Sequence, residues 1–399
     1  MEKRSKLQVT AVFLAFLAMG FGDAVGPFVG LVREHYQTSN FMATLIPSTS
    51  LLMFLLLSIP MGIYQDKKGK KHVMVVGLSI ALLGLLLPIL GGLKADEPDS
   101  FPYSMFLLTV LLLGAGLTIL QVAGNPIMRD VSPEGRYSRN LSLAQFVKAI
   151  GSLSGPLIPV IAARYFHAGW DIIFPIYAVS LLITLAILVP TPIHEKKDPN
   201  SHPATFRSSF ALLRNPFVAL MTLGIFLYVG AEVSVSSGIP IYLEDKYHID
   251  IQKLGLAGTS LFFFWLMTGR FLGAVILTWM KASKFLILTT LFSVAGLLLL
   301  LFGGKSMAIP SISLIGISFA NIFPLIFSIT IDKMPERTNE LSGLMITAIV
   351  GGAVLPPIMG KVADLTNTGT GLLVPLVAIL YILYLSFVVP GRLKREPAN

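Results

Sequence analysis

The sequence predicts an all-α membrane protein in which twelve transmembrane helices form two halves of six. Three observations lead to this fold class: an apolar composition, twelve long apolar runs, and a motif repeated half a chain apart. Of the 399 residues, 54% are hydrophobic and 13% are charged, and the mean hydropathy is +0.77. Soluble globular proteins carry about 25% charged residues. We therefore expect lipid to be the main solvent of this chain and the bilayer its principal partner.

A helix needs about 20 apolar residues to cross a bilayer. Twelve runs of this length occur: 7–33, 41–64, 72–93, 102–128, 140–165, 170–190, 216–243, 252–279, 283–304, 307–331, 340–363 and 370–390. The longest polar connection, 191–215, follows the sixth run and is interpreted as a cytoplasmic linker. The predicted organisation is a half at 1–190, the linker at 191–215 and a half at 216–399.

The distribution of Lys and Arg predicts the orientation of the chain. With the N-terminus in the cytoplasm, the cytoplasmic segments contain 21 of the 30 basic residues, and the opposite side contains seven. Cytoplasmic loops of membrane proteins carry an excess of these residues. Both termini are therefore expected in the cytoplasm of a multi-pass protein of the cell membrane, and a bacterial inner membrane is the simplest setting.

A repeat relates the two halves. The stretch "RDVSPEGRYSRNLSLAQFVKAIGS" at 129–152 resembles "IDKMPERTNELSGLMITAIVGGA" at 331–353. Asp130 and Asp332 lie 202 positions apart, and Leu141 and Leu341 lie 200 apart. A twofold repeat of six spans is the plan of many secondary transporters, in which the solute lies near the midplane between the halves.

Several polar side chains interrupt the apolar runs. Asp23, Lys148 and Glu232 are charged, and a charge at the centre of a span costs about 2.5–3.5 kcal/mol on insertion scales. Four amides accompany them: Gln121, Asn125, Gln145 and Asn321. One interpretation is that this set lines a wet central cavity and binds a solute or a coupling ion. The other is that these groups only form hydrogen bonds between helices.

The stretch "LTILQVAGNPIMRDVSPEGR" at 117–136 places two amides beside a proline. Gln121 and Asn125 share one helix face, and Pro126 leaves a carbonyl free one turn earlier, near Val122. Amides both donate and accept hydrogen bonds, so this face suits a solute rich in hydroxyl groups, such as a sugar. A simple kink with two capping amides is the alternative.

The turn "GIYQDKKGKKHVM" at 62–74 carries the most specific motif. It matches Gly-x-x-x-Asp-(Arg/Lys)-x-Gly-(Arg/Lys)-(Arg/Lys), the signature between the second and third spans of the major facilitator superfamily. The matching residues are Gly62, Asp66, Lys67, Gly69, Lys70 and Lys71. We expect this turn to form a cytoplasmic gate, with Asp66 capping a helix end or pairing with a base of the other half. Arg270, in a weaker copy of the motif, is expected to neutralise an acid or a helix end near the same gate.

Further stretches in both halves resemble the fucose–galactose–hexose symporter family. They are "LQVAGNP", "NLSLAQ", "LYVGAEVSVSSG", "GRFLGA", "NIFPLIFS" and "GLMITAIVGGAVLPPIMGKVADL". The resemblance implies a major facilitator fold that imports a monosaccharide by alternating access, coupled to protons or sodium. It implies that Asp23 takes part in ion coupling. It also implies that Asn125, Gln145, Glu232 and Asn321 line the cavity. At position 121 the hexose branch has Gln, as here, and the fucose branch has Glu.

Lys148 departs from the family pattern, which has Asn-Ser after "LAQ-x-Phe" where this chain reads "LAQFVKAIG". Three hypotheses follow. Lys148 pairs with Asp23 or Glu232 and replaces a sodium ion. Alternatively, it titrates and carries the coupling proton, since buried lysines change their pKa readily. In the third hypothesis it binds a carboxylate, and the solute is an acidic or amino sugar.

Other classes of protein fit the sequence less well. There are no cysteines, and the six histidines lack ligand spacing, so we expect no metal site. An enzyme is not expected, because no cluster of catalytic residues is evident, and neither a cofactor nor a nucleic-acid partner is indicated. Trp265 is a candidate for stacking on a sugar ring, although packing is the simpler interpretation. A monomeric transporter is expected, with a lipid flippase on the same fold as the remaining alternative.

Overall fold

The computed structural model describes residues 2–23, 32, 35–37, 40–196, 203–248 and 259–395. Helices dominate them. The long helices are α1 (Glu2–Asp23), α2 (Asn40–Lys68), α3 (Lys70–Leu90), α4 (Tyr103–Val131), α5 (Tyr137–Ile161), α6 (Ile173–Leu188), α7 (Pro216–Tyr247), α8 (Thr259–Ile276), α9 (Ala282–Phe302), α10a (Ala308–Phe319), α10b (Ile322–Lys333), α11a (Thr338–Thr347), α11b (Gly351–Leu365) and α12 (Leu373–Arg395). Short helices occur at Phe206–Ala211 in the linker and Thr368–Gly371 before α12.

These helices correspond to the twelve predicted spans. Among the described residues, nine helical segments are long and apolar enough to cross a membrane, and α5 with its continuation to Phe166 is a bent tenth. Two shorter apolar helices, Leu7–Gly22 and Leu261–Ile276, lie within the first and eighth predicted spans. The prediction of an all-helical membrane protein is confirmed.

The helices pack in two groups with the same internal pattern. In the first group, α4 contacts α1, α2 and α3, and α6 contacts α1 and α3. In the second, α10a and α10b contact α7, α8 and α9, and α12 contacts α7 and α9. An offset of six helices converts one list of contacts into the other. The repeat predicted from residues 129–152 and 331–353 therefore extends through the packing of both groups.

Glycine allows α1 and α5 to cross with their backbones in contact. A Cβ atom on Gly151 would overlap the carbonyl oxygen of Leu17, and one on Gly20 would overlap the carbonyl oxygen of Lys148. Small residues at such crossings allow close helix packing in membranes, where the hydrophobic effect does not drive helices together.

The second group repeats this crossing between α7 and α11b. A Cβ atom on Gly351 would overlap the carbonyl oxygen of Phe226, and one on Gly230 would lie 2.9 Å from the carbonyl oxygen of Gly351. Gly151 and Gly351 are 200 positions apart, the same offset as Leu141 and Leu341.

The chain divides into two compact units that do not follow the predicted halves everywhere. Unit 1 comprises Met1–Pro133, Val147–Phe206 and Ser342–Thr347, and unit 2 comprises Glu134–Phe146, Arg207–Leu341 and Ala348–Asn399. The beginning of α5 thus belongs to unit 2, and the end of α11a belongs to unit 1. The boundaries of the halves at 190 and 216 stay a prediction.

Candidate functional site

Unit 1 contains a buried polar stripe on α4. Thr118, Gln121 and Asn125 are all at most 5% exposed, and their spacing of three and four residues places them on one helix face. The Asn125 side-chain Nδ2 donates a hydrogen bond to the backbone oxygen of Gln121 at 3.0 Å. The Thr118 hydroxyl has no hydrogen-bond partner in the described part of the structure. This stripe offers hydroxyl and amide groups inside a mainly apolar bundle.

The carbonyl that Pro126 leaves free is bonded by another helix. Pro126 lies inside α4 and cannot donate to the carbonyl of Val122. That carbonyl instead accepts a hydrogen bond from the hydroxyl of Ser342, on α11a. The carbonyl predicted to be free near Val122 thus joins α11a to α4 within unit 1.

Lys148 lies on the part of α5 that packs against α1. Its backbone oxygen faces Gly20 at the crossing of the two helices, and also accepts a hydrogen bond from the Ser152 hydroxyl at 3.2 Å. The Lys148 side chain is partly buried. α1 ends at Asp23, three residues after Gly20, and the Asp23 side chain lies outside the described residues.

Unit 2 brings together three of the predicted site residues. The Arg270 Nη2 atom lies 3.8 Å from Glu232 Oε1, and both side chains are largely buried, with 10% and 17% of their surfaces exposed. Arg270 Nη1 donates a hydrogen bond to the backbone oxygen of Gln145 at 3.3 Å. Residues of α5, α7 and α8 therefore meet at one guanidinium group. Arg270 supplies a cation for Glu232 from the same half of the chain.

The break between α10a and α10b positions further polar groups. Pro324 cannot donate to the Ala320 carbonyl, and the Tyr228 hydroxyl donates to the carbonyl of Phe319 at 2.9 Å. Asn321, at the break, donates through Nδ2 to the backbone oxygen of Gly269 at 2.7 Å. The Asn321 oxygen has no hydrogen-bond partner among the described residues. Tyr228 lies one turn before Glu232 on α7, so the residue that bonds to the break in α10 is next to the acid.

Trp265 lies on α8 against α10a. A Cβ atom on Gly316 would lie 2.8 Å from the Trp265 Cβ, so the glycine makes room for the tryptophan. The indole Nε1 is buried and has no hydrogen-bond partner within the described ranges. A buried indole usually donates to an acceptor. Packing against Gly316 thus positions this side chain on α8.

The signature turn is bonded to the linker. Gly62 of α2 lies against Gly343 of α11a in unit 1, which agrees with a role for glycine in close backbone approach. Asp66 Oδ2 accepts a hydrogen bond from the backbone N–H of Ala204, 3.0 Å away in the linker. The aspartate of the motif therefore holds the linker against the end of α2.

The basic residues of the same turn have different surroundings. The Lys67 side chain is exposed to solvent. Lys70 is buried and forms an ion pair with Asp130 at the end of α4, with an N–O distance of 2.6 Å. This pair joins the beginning of α3 to the end of α4.

Glu195 of the linker caps the beginning of α3. Its two carboxylate oxygens accept hydrogen bonds from the backbone N–H groups of Lys70 and Lys71 at 2.8 and 2.9 Å. Gly69 has a positive φ of 88°, and a Cβ atom there would lie 2.9 Å from the Glu195 carboxylate. A carboxylate at a helix N-terminus is favoured by the free N–H groups and the helix dipole.

Sequence reasoning missed four of these residues: Thr118, Glu195, Tyr228 and Ser342. Thr118 and Tyr228 could have been found by helical spacing from Gln121 and Glu232. Ser342 could have been found as the repeat counterpart of Ser142. No sequence pattern singles out Glu195, because the polar linker contains several side chains that could cap the beginning of α3.

Comparison with known proteins assigns the family. The model of the Major Facilitator Superfamily matches residues 11–357. The chain belongs to the Major Facilitator Superfamily. This is a family of transporters rather than enzymes, so the expectation of a non-enzymatic transporter is confirmed.

Full-length relatives in this superfamily carry sugar-transporter names. A glucose/galactose transporter of Brucella abortus is 26% identical, over 96% of this chain and 94% of the relative. An L-fucose-proton symporter of Escherichia coli is 25% identical, over 91% of this chain and 87% of the relative. The resemblance to the fucose–galactose–hexose symporter family is thereby confirmed.

A solved structure shows the same fold. The superfamily transporter FucP, solved in its outward conformation, superposes with a TM-score of 0.84. The alignment covers 96% of this chain and 98% of FucP, at 22% sequence identity. The predicted major facilitator fold is confirmed along nearly the whole length of the chain.

Proposed function

We propose that this protein imports a neutral hexose by alternating access, in symport with protons. The buried stripe of Thr118, Gln121 and Asn125 carries the proposal, because it presents hydroxyl and amide groups to a solute that is rich in hydroxyl groups. The names of the full-length relatives support the same solute class. Gln at position 121 is the residue of the hexose branch.

Protons are the favoured coupling ion. The relative from Escherichia coli is named a proton symporter, and Asp23 is the acidic residue that we propose for coupling. Uptake into proteoliposomes separates the two ions. An inwardly directed proton gradient should drive sugar accumulation in sodium-free buffer. Accumulation that follows only an imposed sodium gradient would contradict proton coupling.

Glu232, Gln145, Asn321 and Trp265, all in unit 2, are also proposed to bind the solute. Each has a polar group near α7, α8 or the break in α10, and the Trp265 N–H and the Asn321 oxygen lack protein partners in the described regions. The signature turn with Gly62, Asp66, Lys67, Gly69 and Lys70 is proposed as the cytoplasmic gate. We further propose a monomer in a bacterial inner membrane with both termini in the cytoplasm.

An acidic or amino sugar is the second candidate. Lys148 brings a cation to the crossing of α1 and α5, which favours the carboxylate of an acidic sugar. Thermal unfolding of the purified native chain and of Lys148→Asn distinguishes the candidates. A ligand that binds only the folded state raises the unfolding temperature by mass action. Stabilisation of both proteins by glucose or galactose supports the neutral hexose. Stabilisation of the native chain alone, and only by uronic, sialic or amino sugars, would replace it with the second candidate.

A further inference from the structure

Arg270 connects the middle of α7 to the beginning of α5. Its guanidinium group lies 3.8 Å from the Glu232 carboxylate and donates to the backbone carbonyl of Gln145 at 3.3 Å. The remaining nitrogen, Nε, has no hydrogen-bond partner in the part of the chain that the structure describes. Arg270 therefore contacts the Glu232 side chain on α7 and the Gln145 backbone on α5. Of these two groups, only the Glu232 carboxylate can change its charge.

The carbonyl that Arg270 binds lies where α5 passes from one unit to the other. Residues Glu134–Phe146 belong to unit 2, and α5 continues in unit 1 from Val147. Gln145 is therefore in the last turn of the unit 2 part. The hydrogen bond from Arg270 to Gln145 therefore attaches residues 137–146 of α5 to unit 2, whereas most of the first half belongs to unit 1.

Two other contacts attach the beginning of α5 to the second half of the chain. The hydroxyl oxygens of Ser138 and Ser328 lie 2.7 Å apart, which joins α5 to α10b. The rings of Phe146 and Phe271 lie with their centroids 5.4 Å apart, which joins α5 to α8. A transporter that works by alternating access moves one half against the other. The beginning of α5 must then lose these contacts in one part of the cycle.

We propose that Arg270 is a coupling residue that makes the attachment of α5 depend on Glu232. While Glu232 is ionised, its charge compensates the buried guanidinium group, and Arg270 remains bonded to the α5 carbonyl. When Glu232 is protonated, or moves away from Arg270 to bind a solute, the buried cation loses that compensation, which is strongly unfavourable in a site of low polarity. Separation of α5 from unit 2 admits water to the guanidinium group and relieves this cost.

This inference rests on the proposed function in one respect, namely that Glu232 meets the solute or the coupling ion. It adds a step that the sugar assignment does not contain: a change at α7 that is transmitted through Arg270 to the backbone of α5. Lys cannot replace Arg here, because a single ammonium group lacks the fork of donors that reaches both partners.

The test uses the absence of cysteine from the chain. Ser142 lies at the beginning of α5, is fully buried, and makes no hydrogen bond through its hydroxyl within the described segments. Ser142→Cys therefore introduces a single buried thiol with little disturbance. Its rate of reaction with a membrane-impermeant maleimide, added to the cytoplasmic side of inside-out vesicles, measures the separation of α5. Ser386→Cys, a fully buried position on α12, is the control and should stay unreactive.

The expected result is a double-mutant cycle with strong coupling. Glu232→Gln should raise the reaction rate of the thiol at position 142 about tenfold, by shifting the population toward the separated state. In an Arg270→Gln background, the same change at Glu232 should have no further effect, because no buried cation remains. Arg270→Lys keeps the charge but lacks the fork of donors, so it should raise the thiol rate even with the native Glu232.

Two outcomes would overturn the proposal. One is that the effects of the substitutions at Glu232 and Arg270 on the thiol rate are additive. The other is that Glu232→Gln leaves the thiol rate equal to that of the protein with the native glutamate. A reactive thiol at position 386 would identify a variant that has simply unfolded.

Uptake of labelled glucose by right-side-out vesicles, which contain the Ser142→Cys protein with the native Glu232 and Arg270, separates this inference from the proposed function. If the effects of the Glu232 and Arg270 substitutions on the thiol rate are coupled but no glucose is taken up, the role of Arg270 is supported and the hexose assignment is refuted. Sugar uptake with additive thiol rates would retain the hexose assignment and refute the role of Arg270.

Discussion

At the scale of single residues, two serines at equivalent positions of the repeats differ in their hydrogen bonds. Ser342 donates to the Val122 carbonyl that Pro126 leaves free. Its repeat counterpart Ser142, 200 positions earlier, is equally buried but has no hydrogen-bond partner in the regions described. A buried acceptor that loses its donor costs about 1–3 kcal/mol, whereas a hydroxyl without a partner contributes little. The same residue type is therefore expected to matter in one repeat and not in the other.

Ser342→Ala should lower the free energy of unfolding by about 1–3 kcal/mol, and Ser142→Ala should leave it nearly unchanged. The measurement is thermal unfolding in one detergent for both variants. In a Pro126→Ala background, the loss caused by Ser342→Ala should shrink, because residue 126 can then donate to Val122. Equal losses for the two serine variants would show that the hydrogen bond to Val122 does not stabilise the protein.

The Glu232–Arg270 contact could not be predicted from the sequence. Hydropathy identified both residues as polar positions inside spans. It did not identify them as partners, because α7 and α8 are apolar on most sides and their sequences do not determine which faces meet. The gate assignment of Arg270 rested on its motif, whereas its contacts are with Glu232 and the α5 backbone.

At the scale of helices, two segments belong to the unit that contains the other half of the chain. The beginning of α5 belongs to unit 2, and the end of α11a belongs to unit 1. The contact between Ser138 and Ser328 tests whether α5 moves during transport. Ser138→Cys with Ser328→Cys should form a disulfide under mild oxidation and reduce sugar uptake by at least about tenfold, and reduction should restore uptake. The readout is initial uptake rate in proteoliposomes before and after reduction.

A second serine pair provides the control for this crosslink. The hydroxyl oxygens of Ser293 on α9 and Ser318 on α10a lie 3.1 Å apart, and both helices belong to unit 2. A disulfide at this pair should leave uptake close to that of the reduced protein. Uptake that survives full crosslinking of positions 138 and 328 would mean that α5 stays attached throughout the cycle.

The glycine crossing of α7 and α11b gives a separate prediction on helix packing. Gly351→Val should destabilise the protein by about 1–3 kcal/mol, because the larger side chain forces the helices apart. Gly360→Val on the same helix is the matched control, since a Cβ atom at Gly360 meets nothing within 4 Å. Thermal unfolding of the two variants compares them directly. A similar shift for both would point to loss of helix propensity rather than to the crossing.

At the scale of the whole molecule, the architecture was largely predictable and the junctions between helices were not. Long apolar runs and the half-chain repeat predicted the spans, because both are properties of segments about 20 residues long. The break at Asn321 was not predicted, although Pro324 gave a partial signal. The exchange of α5 and α11a between units depends on tertiary contacts such as that of Ser342 with Val122, which no local pattern contains.

The orientation of the molecule is tested by labelling two exposed loops. Asp99→Cys lies in the connection between α3 and α4, and Glu134→Cys lies between α4 and α5. With cytoplasmic termini, an impermeant thiol reagent should label the thiol at position 99 in intact cells. It should label the thiol at position 134 only after permeabilisation. The reverse pattern would invert the proposed topology.

The position of α5 also affects the order in which the chain can assemble. Gln145 and Arg270 are 125 residues apart in the sequence, so the α5 carbonyl is synthesised well before its partner. At roughly 5–20 residues per second, the interval is about 6–25 s. The α4 contact of unit 1 forms after a longer interval, because Ser342 follows Val122 by 220 residues. Neither unit can therefore complete its contacts as an N-terminal domain on the ribosome, and truncated chains should present these helix ends to chaperones and membrane proteases.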